Sequence, residues 1–264
     1  DSFDEKHRIQ AYASFVDDHT LSLSTGGTLT ADKIIIATGS RPNIPGFFEQ
    51  AKDLLITNDD VFYWDDLPKS IAVFGAGVIG LELGQALHRL GVHTHLFGVG
   101  DAVGPLSDPE VIATSLEIFK DEFPFHSNGQ VKSIERTDKG VQITFKPTPD
   151  SEEVTETFDY LLAATGRKTN IDNIGIENTS LELDGRGVPI YNLMSMQCGD
   201  SHIFIAGDVN GDIPLLHEAA DEGRLAGENA STFPQVFKKA RKTSLGVVFS
   251  DPQIATVGMS FRAL

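Results

Sequence analysis

The chain has 264 residues, with 21 Lys and Arg against 38 Asp and Glu, and a formal net charge of −17. That length allows one or two domains with a sizeable core. The acidic balance excludes nucleic acid and anionic membranes as partners, because phosphate contacts need Lys and Arg. The single cysteine, Cys198, excludes an internal disulfide framework. No apolar run is long enough to span a bilayer, and no signal-like segment opens the chain, so a cytoplasmic location is expected. The chain begins with Asp1, not Met, and reads as a cut through a longer protein.

In chain order, Thr20 to Ser24 and Thr28 to Thr30 alternate around Thr25-Gly26-Gly27, a hairpin signal. Lys33 to Gly39 is a short Ile-rich run, read as a strand buried on both faces. Arg41 to Asp66 reads as a connection. Ser70-Ile71-Ala72-Val73-Phe74 predicts another buried strand, followed at once by Gly75-Ala76-Gly77-Val78-Ile79-Gly80. Leu81 to Leu90 has helical spacing, Gly91 ends it, and Val92 to Phe97 is the next strand, so Ile71 to Phe97 forms one βαβ unit.

Asp108-Pro109 opens a helix to about Glu122. Strands are predicted at Val131–Arg136 and Val141–Lys146 around Asp138-Lys139-Gly140, with a polar loop over 147–153 and a third strand at Phe158–Ala164. His202 to Asp208 reads as a buried strand, Pro214 to Ala230 as a helix with small residues for close packing, and Leu245 to Phe249 as a further strand.

Two segments repeat. Asp32, an apolar strand, Ala37-Thr38-Gly39 and Asn43 recur in order as Asp159, a strand, Ala164-Thr165-Gly166 and Asn170. A repeat of this kind implies two modules built alike. Only the second is preceded by a glycine loop, and too few residues precede Lys33 to hold one. The expectation is that the first module's opening half lies upstream of Asp1.

A lone GxGxxG is weak, but this one follows a predicted strand and opens a helix. There Gly75 allows the tight turn, Gly77 lets backbone approach a pyrophosphate, and Gly80 lets helix and strand pack closely. The helix N-terminus favours the phosphates. At the end of the second strand, Phe97-Gly98-Val99-Gly100-Asp101 has neither a ribose-binding acid at the expected place nor a cation for a 2′-phosphate. NAD is favoured over NADP, because a phosphate without a basic partner is poorly compensated. Gly207-Asp208 ends a strand where α/β sheets bind ligands, and Asp212 and Pro214 mark a helix start whose dipole would favour negative charge on a flavin.

GAGVIGLE, the two ATG strands, IAGDV, LLHEAADEGRLAGENA and VVFSDPQIATVG occur in this order. Together they resemble the pyridine nucleotide–disulfide oxidoreductases, dihydrolipoamide dehydrogenases most of all, from about Ile9 onward. The resemblance implies an α/β fold: a Rossmann-like NAD-binding domain inserted in a partial FAD-binding domain, three-layered, with a parallel sheet and a β-meander. It implies domain bounds of 1–67 (FAD), 68–166 (NAD), 167–243 (FAD return) and 244–264 (start of an interface domain). It implies FAD contacts at Thr38, Gly39, Ser40, Gly207, Asp208, Pro214, Leu215, Leu216 and His217. NAD contacts are implied at Gly75, Ala76, Gly77, Val78, Ile79, Gly80, Glu82, Gly98, Val131 and Gly166, with Glu82 beside the reacting rings.

The family's first glycine loop and Cys-x-x-x-x-Cys are expected upstream of Asp1, and its His–Glu acid–base pair beyond Leu264; His217 is not that base. No catalytic residue is therefore assigned within the chain. The parent is expected to be a homodimer passing electrons from a disulfide/dithiol substrate through FAD to NAD. Glutathione reductase, mercuric reductase, NADH oxidase, soluble transhydrogenase and a bare nucleotide-binding module stay open as alternatives. His93 and His95 lie two apart on a strand, but a metal site needs more ligands than two, so no metal is assigned.

Overall fold

The computed structural model describes residues 4–264. The chain divides into two compact units, Asp1–Arg41 with Lys168–Lys242, and Pro42–Arg167 with Thr243–Leu264. Residues 42–67 and 244–264, which the motif reading set apart from the NAD domain, both group with the second unit.

The second unit is built on a five-stranded parallel sheet in the order Leu55–Ile56, Tyr160–Ala163, Ser70–Phe74, His93–Phe97, Phe125–His126. Alternate residues point to opposite faces, so an unbroken apolar run serves two cores at once. Ile71 and Val73 join Leu96 and Leu162 beneath helices Val78–Arg89 and Pro109–Glu122, which contribute Leu81, Leu87, Leu116 and Phe119. Ala72 and Phe74 join Phe97, Leu161 and Ala163 on the other face. That face is covered by an antiparallel meander, Gln130–Thr137, Gly140–Lys146 and Val154–Phe158, through Ile143, Phe145 and Phe158. Phe97 and Phe145 meet edge-on with ring centres 4.9 Å apart. Each fully buried Phe contributes roughly 1.5–3 kcal/mol by removal from water. Helix, parallel sheet and meander are the three layers expected, and the fold is α/β.

One strand of the meander is not among the predicted ones. The reading placed a single strand at Phe158–Ala164. The predicted run is the sheet strand Tyr160–Ala163, while Phe158 ends a separate outer meander strand, Val154–Phe158, with Asp159 between them. Asp159 makes the switch, its carboxylate accepting from the Lys69 and Ser70 amides at 2.7 and 3.1 Å. On the face between sheet and meander, burial pushes the His126 imidazole down to about 4 and holds His95 below its ordinary value.

The C-terminal hairpin of this unit, Leu245–Val248 with Ile254–Val257, places Val248 and Ile254 in the helix-side core. Helix Val78–Arg89 grips its connecting loop. The Glu82 carboxylate accepts the Phe249 amide at 2.8 Å, and the Gln85 side chain bonds both the amide and the carbonyl of Asp251 at 2.7 Å.

The first unit holds the expected hairpin, Thr20–Leu23 with Thr28–Thr30, and a further strand, Ala13–Phe15, beside it. Ile34–Ile36 pairs in parallel with Ile203–Ile205. The expectation that the first of these is buried on both faces is corrected: Ile36 is buried but Ile35 is 40% exposed, although its register partner Phe204 is fully buried, because its strand is an edge of a sheet with only these two strands among the described residues. Helix Leu216–Thr232 starts two residues later than read, so Pro214 precedes the helix and Leu215 is its N-cap.

The repeat seen in the sequence recurs as one hydrogen-bond pattern in each unit. In the first, the Thr38 hydroxyl donates to the Asn170 carbonyl at 2.7 Å, and the Asn170 amide donates to the Gly39 carbonyl at 2.9 Å. In the second, the Thr165 hydroxyl donates to the Asn43 carbonyl at 2.8 Å, and the Asn43 amide donates to the Gly166 carbonyl at 2.9 Å. Each Ala-Thr-Gly therefore ends a strand by tying itself to an Asn-bearing segment distant in sequence.

A Cβ added at Gly80 would lie 1.7 Å from the Gly75 carbonyl oxygen. Gly80→Ala is expected to force the helix off the strand and to destabilise the chain by about 1–3 kcal/mol or more. Urea unfolding followed by circular dichroism measures this, and an unchanged midpoint would contradict the close packing described.

Candidate functional site

The NAD-type residues gather at the C-terminal end of the parallel sheet in the second unit, where α/β sheets bind ligands. Strand Ser70–Phe74 ends in Gly75, at φ 112°, a conformation that side-chain-bearing residues rarely adopt. A Cβ there would also stand 2.2 Å from the Ala164 carbonyl oxygen. Gly77 is the N-cap of helix Val78–Arg89 and has open space where a Cβ would point, so a ligand can approach its backbone.

The loop opens on a cleft of about 450 Å³, within the range of small-molecule sites. Of the predicted residues, Gly75, Ala76, Gly77, Gly98 and Val131 line it. Gly80 lies behind the loop against Gly75, and Val78 and Ile79 form the first helical turn. Gly166 is not in the lining, although its neighbour Thr165 is. Glu82 stands on the second turn and holds the Phe249 amide. The reading missed Phe47, Phe48 and Gly129. The two Phe residues lie in a segment taken for a connection; it forms 3-10 helix over Gly46–Leu54, interrupted at Lys52, with Phe48 buried against Phe74.

At Gly98, where an acidic ribose anchor would be expected, a Cβ would come within 3.2–3.3 Å of Ala76, Ser127 and Phe125. A side chain there would require these neighbours to give by a few tenths of an ångström. Asp101, three residues on, turns to accept from the Ser127 hydroxyl.

The FAD-type residues lie in the first unit. Ser40 donates to the Asp208 carboxylate at 2.7 Å, bringing together the ends of strands Ile34–Ile36 and Ile203–Ile205. Gly207, at φ 77°, gives its amide to the Glu222 carboxylate at 2.8 Å. Glu222 is buried and also accepts from the Asn210 side chain at 2.7 Å and the Arg241 guanidinium at 2.7 Å. Burial nevertheless holds its carboxyl above the usual range. Nearby, the Arg41 guanidinium, and then Lys168, hold the Asp172 carboxyl well below the usual range. Leu216 and His217, on the first turn of helix Leu216–Thr232, are exposed.

The helix ends set these two sites apart from the other α-helices among the described residues. Helix Pro109–Glu122 is capped by Asp108, whose carboxylate accepts from the Glu110 amide at 2.9 Å and from that of Val111. Helices Val78–Arg89 and Leu216–Thr232 have Gly77 and Leu215 at the N-cap and receive no side-chain cap. Their first N–H groups are left for another acceptor, and the helix dipole favours an anionic one.

The chain matches the family model for pyridine nucleotide-disulphide oxidoreductases over residues 4–223. It belongs to that family. Members use FAD and a pyridine nucleotide. A dihydrolipoyl dehydrogenase of Bacillus subtilis (strain 168) is 32% identical over 235 residues, 88% of this chain and 48% of the relative. A soluble pyridine nucleotide transhydrogenase of Photorhabdus laumondii is 31% identical, over 96% of this chain and 54% of the relative. The chain thus spans about half the length of the curated relatives it matches. Among solved structures, the flavoprotein disulfide reductase RclA of Escherichia coli superposes with a TM-score of 0.82 at 21% identity, covering 97% of this chain and 57% of that one. LpdA of Mycobacterium tuberculosis gives 0.75 at 27% identity, covering 92% and 52%. No helix among the described residues is long and apolar enough to cross a membrane.

Cys198 is fully buried, and burial pushes its thiol up to about 12. The native chain is expected to react negligibly with a chromogenic disulfide reagent at pH 8 and to release one equivalent of thiolate on unfolding in guanidinium. Rapid reaction of the folded chain would contradict the burial.

Proposed function

We propose that the chain carries the NAD site and part of the FAD site of a flavoenzyme that passes electrons between a dihydrolipoamide-type dithiol and NAD. The observation that supports this most is the glycine loop at Gly75–Gly80. It needs glycine sterically at two points, leaves its helix N-terminus uncapped, and opens on a cleft at the C-terminal end of a parallel sheet. The dithiol substrate rests on the likeness to dihydrolipoyl dehydrogenases, as does a homodimeric, cytoplasmic parent.

When bound, the two cofactors supply the electron and hydride chemistry, and the protein binds, aligns and shields them. On this reading the amides that follow Gly77 hold the pyrophosphate of NAD, with Ala76, Val78 and Ile79 shaping the turn. Gly98 and Val131 border the adenosine end of the cleft, and Gly166 ends the strand beside it. Glu82 orients the nicotinamide end while its carboxylate keeps the Phe249 amide satisfied. In the other unit, Asp208 accepts from FAD hydroxyl groups beside Ser40, with Thr38, Gly39 and Gly207 shaping the strand ends. Pro214, Leu215, Leu216 and His217 deliver the uncapped helix end toward the flavin. Cys198, fully buried, takes no part in thiol–disulfide exchange, which needs an accessible thiolate.

Calorimetric titration with NADH and NADPH tests the nucleotide assignment. The cleft lining contains no Lys, Arg or His to neutralise a 2′-phosphate, so NADH is expected to bind about tenfold more tightly or better, a difference of roughly 1.4 kcal/mol. Equal or tighter binding of NADPH would overturn it.

A further inference from the structure

His93 and His95 sit on strand His93–Phe97, and the period of two sends both side chains to the face covered by the meander. The outer meander strand Val154–Phe158 brings Glu156 to the same point. One Glu156 carboxylate oxygen lies 2.6 Å from His93 Nε2 and the other 3.5 Å from His95 Nε2. One ligand atom from each of the three residues lies within 4.8 Å of the other two, the one such grouping among the described residues. On the next parallel strand, His126 Nε2 stands 3.1 Å from His95 Nδ1.

We propose that His93, His95 and Glu156 bind a divalent first-row transition-metal ion, zinc fitting best, with His126 as the positioning residue for His95. Two imidazole nitrogens and one carboxylate oxygen form a donor set that holds zinc with a coordination position left open. Ligand atoms about 2.0–2.1 Å from a tetrahedral ion stand roughly 3.3 Å apart. The three ligand atoms, within 4.8 Å of one another, would need side-chain shifts of roughly 1–1.5 Å to reach that spacing, the scale of motion within staggered wells.

A plain ion pair accounts for His93 and Glu156 alone. It leaves unexplained why His95, only 8% exposed, aims Nε2 at the same carboxylate while Nδ1 meets another ring. In metal sites a ligating His donates its second ring N–H to an outer partner, which fixes tautomer and orientation. His126 stands where that partner must be. The side chain of His93 is 55% exposed, which gives an ion a way in and water a place on the open position. Strands His93–Phe97 and Val154–Phe158 are not backbone-paired to each other, so a bound ion would tie the parallel sheet to the edge of the meander.

The test is calorimetric titration of the whole chain with zinc chloride, beside thermal melts with and without zinc. One equivalent is expected to bind with a dissociation constant of about 10 μM or tighter, and the melting temperature should rise with zinc concentration. His93→Asn and Glu156→Gln should each weaken binding at least tenfold, His126→Phe by roughly 10–100-fold, and His88→Asn, on a helix away from the cluster, should leave it unchanged. Far-UV circular dichroism and NADH affinity confirm that each variant is folded. Should His95→Phe fail to fold, the exposed-side variant His93→Asn still decides the matter. The proposal fails if the unaltered chain shows no saturable zinc binding up to about 1 mM, or if the double variant His93→Asn/Glu156→Gln binds as the unaltered chain does, which would place zinc on scattered surface carboxylates.

Discussion

The second unit depends on the contact between the Gly75 carbonyl and Gly80. No side chain fits between them, and none fits between Gly75 and Ala164. The helix can therefore lie against the ends of strands Ser70–Phe74 and Tyr160–Ala163 at backbone distance. That closeness aims the helix N-terminus across the end of the sheet, and it leaves the cleft bordered by Ala76, Gly77 and Gly98. It also carries Glu82 and Gln85 to the loop after Val248, which anchors the C-terminal hairpin onto the same helix. Bulk at Gly80 would disturb core, cleft and hairpin together.

Much of this is legible in the sequence, because the relevant signals are steric and local. Unbroken apolar runs mark strands buried on both sides, and Asp108-Pro109 marks a capped helix start that the hydrogen bonds bear out. The double role of the sheet is visible in Ile71-Ala72-Val73-Phe74, whose alternate members feed different cores. The failures are equally physical. Val154-Thr155-Glu156-Thr157-Phe158 alternates polar and apolar residues beside a polar loop, and only its last residue is buried. With so weak an apolar signal all of it but Phe158 went unassigned. Ile35 belongs to an apolar run but is half open to solvent, since burial depends on sheet neighbours that a short window cannot report.

The candidate sites divide along the same line. Gly75 and Gly80 could be read because the backbone packed against them leaves no room for a Cβ. Phe47, Phe48 and Gly129 were missed because they reach the cleft only through tertiary packing. The histidine cluster is the clearest case. Two histidines on one strand are too few for a metal, and the residue that changes the count, Glu156, lies 61 residues after His95 on the strand the reading overlooked. His126 joins them only because the parallel order sets its strand beside theirs.

Helix capping is a feature the two candidate cofactor half-sites share. A buried or ligand-facing N-terminus with free N–H groups is costly unless something accepts from it. Helix Pro109–Glu122 meets that need with its own Asp, whereas helices Val78–Arg89 and Leu216–Thr232 do not. The most direct measurement of this account is backbone amide shift mapping of the isotopically labelled chain as NADH is added. The account predicts the largest saturable changes at the amides of Ala76 to Gly80, with Gly98, Val99 and Val131 following, and little change over Pro109 to Val111. Changes absent from the glycine loop, or confined to the Asp108-capped helix, would contradict it.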